Sequence, residues 1–209
     1  MATVDAVLLD MDGTLVDSDA AVERGWRSWS AEHGIDPAAA LAISHGSSSE
    51  RTVRRLLPSA DETAIAAAST RQLELQYDDL ADVTATRGAT ELIATMARLG
   101  LPWAVVTSAD TRLAKARLTA AGIDAPVLVT VDDLTAGKPD PEGYLRGAAL
   151  LGVPPARCLV VEDADVGIQA ARAAGAMTAG LRGVDADLHL DDLAQLAHLL
   201  ARGRHTSAT

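Results

Sequence analysis

The chain contains no phenylalanine, and of its 209 residues only three are tryptophan and two tyrosine. So few rings argue against an aromatic platform that stacks bases. Positive charge is scarce as well: a net charge of -11 argues against a basic nucleic-acid-binding surface. Lysine occurs only at Lys115 and Lys138, so lysine-dependent chemistry has two candidates. The single cysteine, Cys158, permits no internal disulfide framework and fits a reducing, cytoplasmic setting. No basic and hydrophobic leader precedes the first apolar run, and no run approaches membrane-spanning length. What is there suits a soluble globular chain: 48% apolar and 22% charged residues, long enough for one domain or a core with a modest insertion.

The sequence is organised around residues 7–15, which read VLLDMDGTL. An apolar run ended by a turn signal suits a strand buried on both faces, as in a parallel sheet. Two carboxylates, Asp10 and Asp12, follow at its carboxyl end, where open α/β sheets bind ligands. Placed two apart, they share a face if the strand continues. Gly13 permits a sharp turn or the close approach of a ligand. Crowding two like charges is costly unless a cation lies between them or one is protonated. The alternative is a plain strand ending in an Asp-Gly turn.

From Asp17 to about Thr86 the text is helical. Ser18 opens a helix through Trp26 and Trp29 that stops at Gly34, and Asp36-Pro37 opens a second through Ile43. Ser49 to Leu57 and Asp61 to Leu80 are a third and a fourth. Spliced in after the first strand, the four suggest a bundle over residues 16–86, with residues 1–15 plus 87–209 forming the core. Gly88 starts another helix, after which strands near 103–106, 127–129, 158–161 and 177–181 alternate with helices at 111–121, 141–151, 164–174 and 191–200. This alternation predicts an α/β fold: a doubly wound, Rossmann-like parallel sheet carrying an inserted four-helix bundle. The end, from Arg202 to Thr209, is polar and reads as frayed.

Three further strand ends carry polar groups. Thr107 and Ser108 follow the run WAVV and precede a helix start, which suits either an anion site or a simple helix cap. Lys138 stands between Gly137 and Pro139, presented from a rigid segment toward a phosphate or exposed as a surface charge. Glu162 and Asp163 follow the run LVV; facing the first two aspartates they suit an oxygen-liganded Mg2+, or Asp163 caps the next helix.

Taken in order, Asp10 and Asp12, then Thr107, then Lys138, then Glu162-Asp163 resemble the four motifs of the haloacid dehalogenase superfamily of hydrolases. The resemblance spans essentially the whole chain and is nearest the β-phosphoglucomutase-like subgroup with a helical cap, among sugar-phosphate and polyol-phosphate phosphatases. It implies that Asp10 attacks phosphorus to form an aspartyl-phosphate, while Asp12 serves as acid and then base. It further implies Mg2+ held by Asp10, the Asp12 carbonyl oxygen and Asp163, with Glu162 beside them. Thr107, Ser108 and Lys138 are implied to hold the remaining phosphoryl oxygens. A paired Asp12 speaks against the dehalogenase and P-type ATPase branches, and a lysine-free cap against Schiff-base chemistry.

In the cap, the run from His45 to Val53 resembles the segment that reads the sugar or polyol. It keeps His45-Gly46 but has Ser48 where relatives carry arginine, and Ser49 and Arg51 follow as substrate-side candidates. Val22 and Ser49 stand where the phosphoglucomutases use histidine and arginine, which favours hydrolysis over a mutase reaction. A non-catalytic phosphometabolite-binding module is the alternative of another class. The expected partner is a small phosphorylated metabolite, with no nucleic acid or membrane, and a monomer is the default.

Overall fold

The computed structural model describes residues 4–203, so residues 204–209 of the expected frayed end lie outside the described residues. The chain opens with β1 (Ala6–Leu9), a short β2 (Val16–Asp17) and four helices, α1 (Asp19–His33), α2 (Pro37–Ser44), α3 (Ser49–Leu56) and α4 (Glu62–Tyr77). It returns through β3 (Thr84–Ala85) and α5 (Ala89–Leu99) to β4 (Trp103–Val106), α6 (Thr111–Ala120), β5 (Leu128–Val129) and α7 (Glu142–Leu151). It closes with β6 (Cys158–Glu162), α8 (Asp165–Ala173), β7 (Met177–Gly180), β8 (Leu188–His189) and α9 (Leu193–Gly203).

The main sheet is parallel, in the order β5-β4-β1-β6-β7-β8. The strand order reverses at β1, the kind of switch point at which open α/β sheets bind their ligands. Leu9 pairs with Val105 on one side and with Val161 on the other, so the residues after β1, β4 and β6 emerge together. Every side chain of β1 is fully buried: Val7 and Leu9 enter the core layer that holds Leu92, Met96 and Leu113, and Ala6 and Leu8 enter the layer with Tyr144 and Ala148. That two-sided burial is the reason the strand reads as an unbroken apolar run.

The four inserted helices share a separate apolar centre of Trp26, Trp29, Ala40, Val53, Ile65 and Ala68. Gly34 ends α1 in a left-handed conformation, and Asp36, Ser48 and Asp61 accept hydrogen bonds at the starts of α2, α3 and α4. Residues leave and re-enter the core through the antiparallel pair β2–β3. The α/β fold with its helical insertion is thus the one expected. The differences are local. Helix α4 stops at Tyr77 rather than Leu80, because Asp78, Asp79 and Asp82 oppose the negative end of a helix and the last two instead clasp Arg24. Among the described residues no helix is long and apolar enough to cross a membrane.

Candidate active site

The segment after β1 turns back on itself, with Leu15 N donating to Met11 O and Gly13 N to Val16 O, both at 2.8 Å. Gly13 has φ of +80°, and a β-carbon there would lie 1.9 Å from Asp163 Oδ2, so the turn and the approach of Asp163 both require glycine. Asp10 is buried beneath this turn, and its Oδ1 contacts Lys138 Nζ. Lys138 also donates to Glu162 Oε1 at 2.7 Å, and the Tyr144 hydroxyl donates to the same oxygen at 2.5 Å. Glu162 Oε2 accepts from the amides of Asp163 and Ala164 at 3.1 and 3.3 Å. All four of these contacts hold the Glu162 carboxylate and, through it, the lysine.

The electrostatics follow from burial. Desolvation pushes the Asp10 carboxyl well above the ordinary carboxylate range, with Lys138 pulling the other way. Desolvation alone would lower the lysine, but Asp10 and Glu162 facing it more than offset this and hold the ammonium above its usual value. Burial, and then the Glu162 charge, raises the Tyr144 phenol, which therefore stays a donor.

Asp163 is buried and does not cap α8; neither of its carboxylate oxygens receives a hydrogen bond. His45 Nε2 and Arg182 Nε each lie 3.2 Å from Oδ2 as ion-pair partners, without hydrogen-bond direction. Asp10, Glu162 and Asp163 bring one oxygen each within 4.8 Å of one another. Carboxylate oxygens that accept no hydrogen bond are costly in a buried site, and the flanking cations Lys138, His45 and Arg182 leave both Asp163 oxygens without one. This donor set fits a hard, divalent, oxygen-liganded cation.

Asp12 is less buried. Ser18 Oγ donates to its Oδ1 at 2.6 Å, so the hydroxyl read as a helix cap is committed to the site, and α1 starts without a side-chain cap. Arg117 Nη1, from the buried face of α6, lies 2.9 Å from the same oxygen. Thr107 is buried at the end of β4, its Oγ1 accepting from Ala109 N at 3.1 Å. Capping of α6 falls to Asp110, so neither Thr107 nor Ser108 serves as the helix cap.

The inserted helices close over this end of the sheet. His45 Nε2 sits 3.1 Å from Asp163 O, and the Asp163 carboxylate beside it lifts the imidazole from 6.5 to about 9. Ser108 Oγ donates to Gly46 O at 2.9 Å, so that hydroxyl faces the helical unit. The cleft is lined by Asp10, Asp12, His45, Gly46, Ser49, Thr107 and Ser108, which the sequence singled out, together with Gln72, Gln76 and Arg117, which it did not. Arg51 is not brought there: it is exposed on α3, and its amide takes the Ser48 cap bond. Tyr144, Arg117, Gln72 and Gln76 are the residues sequence reasoning missed. A signal existed for three of them, since Arg117 lies on the stripe of Leu113, Ala114 and Leu118, and the glutamines continue that of Ile65, Ala68 and Ser69.

A reversing parallel sheet with an acidic cluster at its central strand end, covered by inserted helices, defines a Rossmann-like hydrolase core. The chain belongs to the haloacid dehalogenase-like hydrolases, whose sequence pattern matches residues 4–175. It is 43% identical over 169 residues to hexitol phosphatase A of Escherichia coli, covering 80% of this chain and 78% of that one. It is 33% identical over 197 residues to 2-deoxyglucose-6-phosphate phosphatase 1 of Saccharomyces cerevisiae, covering 86% and 80% of the two chains. The β-phosphoglucomutase of Clostridium difficile superimposes with a TM-score of 0.85 over 98% of both chains at 21% identity, a likeness of fold alone.

Proposed function

We propose that this protein is a Mg2+-dependent phosphatase that hydrolyses a small sugar or polyol phosphate through an aspartyl-phosphate on Asp10. The observation that carries the reading is the buried Asp10 at the switch point of the sheet, in contact with Lys138 and grouped with Glu162 and with an Asp163 whose oxygens accept no hydrogen bond. The phosphatase activity of the curated relatives supports it, as both are named for phosphorylated sugars or sugar alcohols. The helices of residues 16–86 act as a cap, the remainder as the catalytic core, and the protein works as a cytoplasmic monomer without nucleic acid.

In the first half-reaction an Asp10 carboxylate oxygen forms a bond to phosphorus while the bond from phosphorus to the leaving oxygen breaks. Asp12 gives its proton to that oxygen. In the second half, Asp12 takes a proton from water, the water oxygen bonds to phosphorus, and the Asp10 ester bond breaks. Lys138 and the Thr107 hydroxyl hold the non-bridging oxygens, with Ser108 alongside. Glu162 keeps Lys138 charged and in place. Mg2+ held by Asp10, Asp163 and the Asp12 main-chain carbonyl would neutralise charge on the transferring group. Val22 and Ser49, neither of which carries charge, line the cleft where a mutase would hold a phosphosugar, which favours release of the product over its return.

The test is phosphate release from p-nitrophenyl phosphate and from a panel of hexose and hexitol phosphates, with and without Mg2+. Turnover that needs the metal and vanishes in Asp10→Asn is expected. Wild-type rates in that variant end the assignment, and no turnover on any substrate favours a binding module.

A further inference from the structure

Above Asp12 the cleft holds three buried polar side chains whose hydrogen-bonding capacity is only partly used. Gln72 is fully buried on α4, its Oε1 in contact with Ser49 Oγ, and its Nε2 has no partner. Gln76, one turn on, is 4% exposed and accepts from Arg117 Nη2 through Oε1 at 2.6 Å, leaving its Nε2 only a 3.5 Å contact with Gln72 O. Arg117 is 2% exposed and its Nε is partnerless. In both amides the oxygen is committed, so the NH2 groups are what remains to offer. An unmade bond at a buried donor is destabilising, a cost that packing alone does not require.

The surroundings keep this arrangement open. Gly25 of α1 faces Gln76, and a β-carbon there would stand 2.7 Å from Gln76 Cγ; glycine inside a helix is unfavourable relative to alanine, and here it makes room for the amide. Val22, Trp26, Leu73 and Leu113 supply apolar wall beside the donors. The charge inventory is closed: the two cations lining the cleft, Arg117 and His45, already face Asp12 and Asp163.

We infer that Gln72, Gln76 and Arg117 form the subsite for the non-phosphate half of the substrate, and that this half is an uncharged polyhydroxyl chain. Its hydroxyl oxygens accept from the two amide NH2 groups and from Arg117 Nε, while its carbon chain lies on the apolar wall. A second phosphate or a carboxylate finds no unbalanced cation there. The inference rests on the phosphatase reading above, and the experiment separates the two.

The experiment measures kcat/KM with Mg2+ for sorbitol 6-phosphate, for 6-phosphogluconate, which has a carboxylate on a similar chain, and for p-nitrophenyl phosphate, which has no hydroxyls. Sorbitol 6-phosphate is expected to exceed 6-phosphogluconate by about 100-fold or more. Gln72→Leu and Gln76→Leu are expected to lower the ratio of sorbitol 6-phosphate to p-nitrophenyl phosphate activity by about 10- to 100-fold each. Gln72→Met keeps the chain length and removes the amide without adding charge, so it reports the same loss if a leucine variant fails to fold. Equal or better use of 6-phosphogluconate, or a ratio that stays within about twofold in the folded variants, overturns the subsite. Absence of turnover of all three substrates by the wild type overturns the phosphatase reading instead.

Discussion

Tyr144→Phe tests how the buried cluster is held by deleting one atom. The phenol is 1% exposed and donates at 2.5 Å to Glu162 Oε1, itself inside a fully buried side chain. Phenylalanine keeps the ring in the layer formed with Val106, Ala148 and Val160, so packing is little changed. The carboxylate is not stranded either, because Oε1 keeps Lys138 and Oε2 keeps two amides. What is lost is one hydrogen bond to a charged acceptor, about 1.5–3 kcal/mol. For a chain of this size each kcal/mol lowers Tm by about 2–4 °C, so a loss of about 4–8 °C is expected for a central value of about 2 kcal/mol. Glu162→Leu is the counterpart: it removes at once the acceptor of Lys138, Tyr144 and two amides, and about 3–5 kcal/mol is expected to go. Calorimetric melts at pH 7, checked by urea titration, give both numbers. A Tm within about 1 °C of wild type in Tyr144→Phe refutes the reasoning. So does a loss as large as that of Glu162→Leu, since it would mean that the phenol alone holds the carboxylate.

Mg2+ at about 100 times its dissociation constant is expected to stabilise the wild type by about 2.7 kcal/mol, read as a rise in Tm that Asp163→Asn removes; an unchanged melt in the wild type refutes the metal assignment. In chelator-treated protein the Asp163 carboxylate beside it lifts His45 from 6.5 to about 9. Protonated His45 therefore adds stability that is complete below about pH 6.5 and fades as pH rises through 9, on the order of 1 kcal/mol once screening of the half-exposed ring is allowed for. His45→Asn is expected to flatten that part of the stability profile, and an identical slope in the variant rules the pair out. Trp29→Ala removes the centre of the helical unit, where the indole is fully buried and donates to Ala68 O at 2.9 Å. About 3–5 kcal/mol should be lost, and a denaturant midpoint near wild type would show that this layer carries little stability.

The core was legible because a parallel strand buried on both faces writes itself as an apolar run, and the residue ending each run is a polar member of the candidate site. Asp10, Thr107 and Asp163 follow β1, β4 and β6 in that way, and the shared register brings them together. The inserted helices were legible from their caps, Asp36 before Pro37 and the left-handed Gly34 above all. Three of the two-residue strands were not: β2, β3 and β8 lack the short apolar run by which β5 was read at 127–129. The start of α9 was read two residues early because Asp191 and Asp192 lie just outside it, where Asp192 accepts from Gln195 N.

The substrate side was hidden for a different reason. Arg117, Gln72 and Gln76 occupy helical stripes whose other members are apolar or small, and such a period ordinarily marks core. Their partners come from distant segments: Arg117 meets Gln76 across 41 positions and Ser49 meets Gln72 across 23. No local motif can announce pairs of that kind. The chemical residues sit at strand ends because phosphoryl transfer needs rigid, convergent groups. Recognition of an uncharged chain needs donors held against an apolar wall, and helix faces supply both. Polar side chains inserted into a buried stripe, with some of their donors left unmatched, are therefore the trace that substrate recognition leaves on this fold.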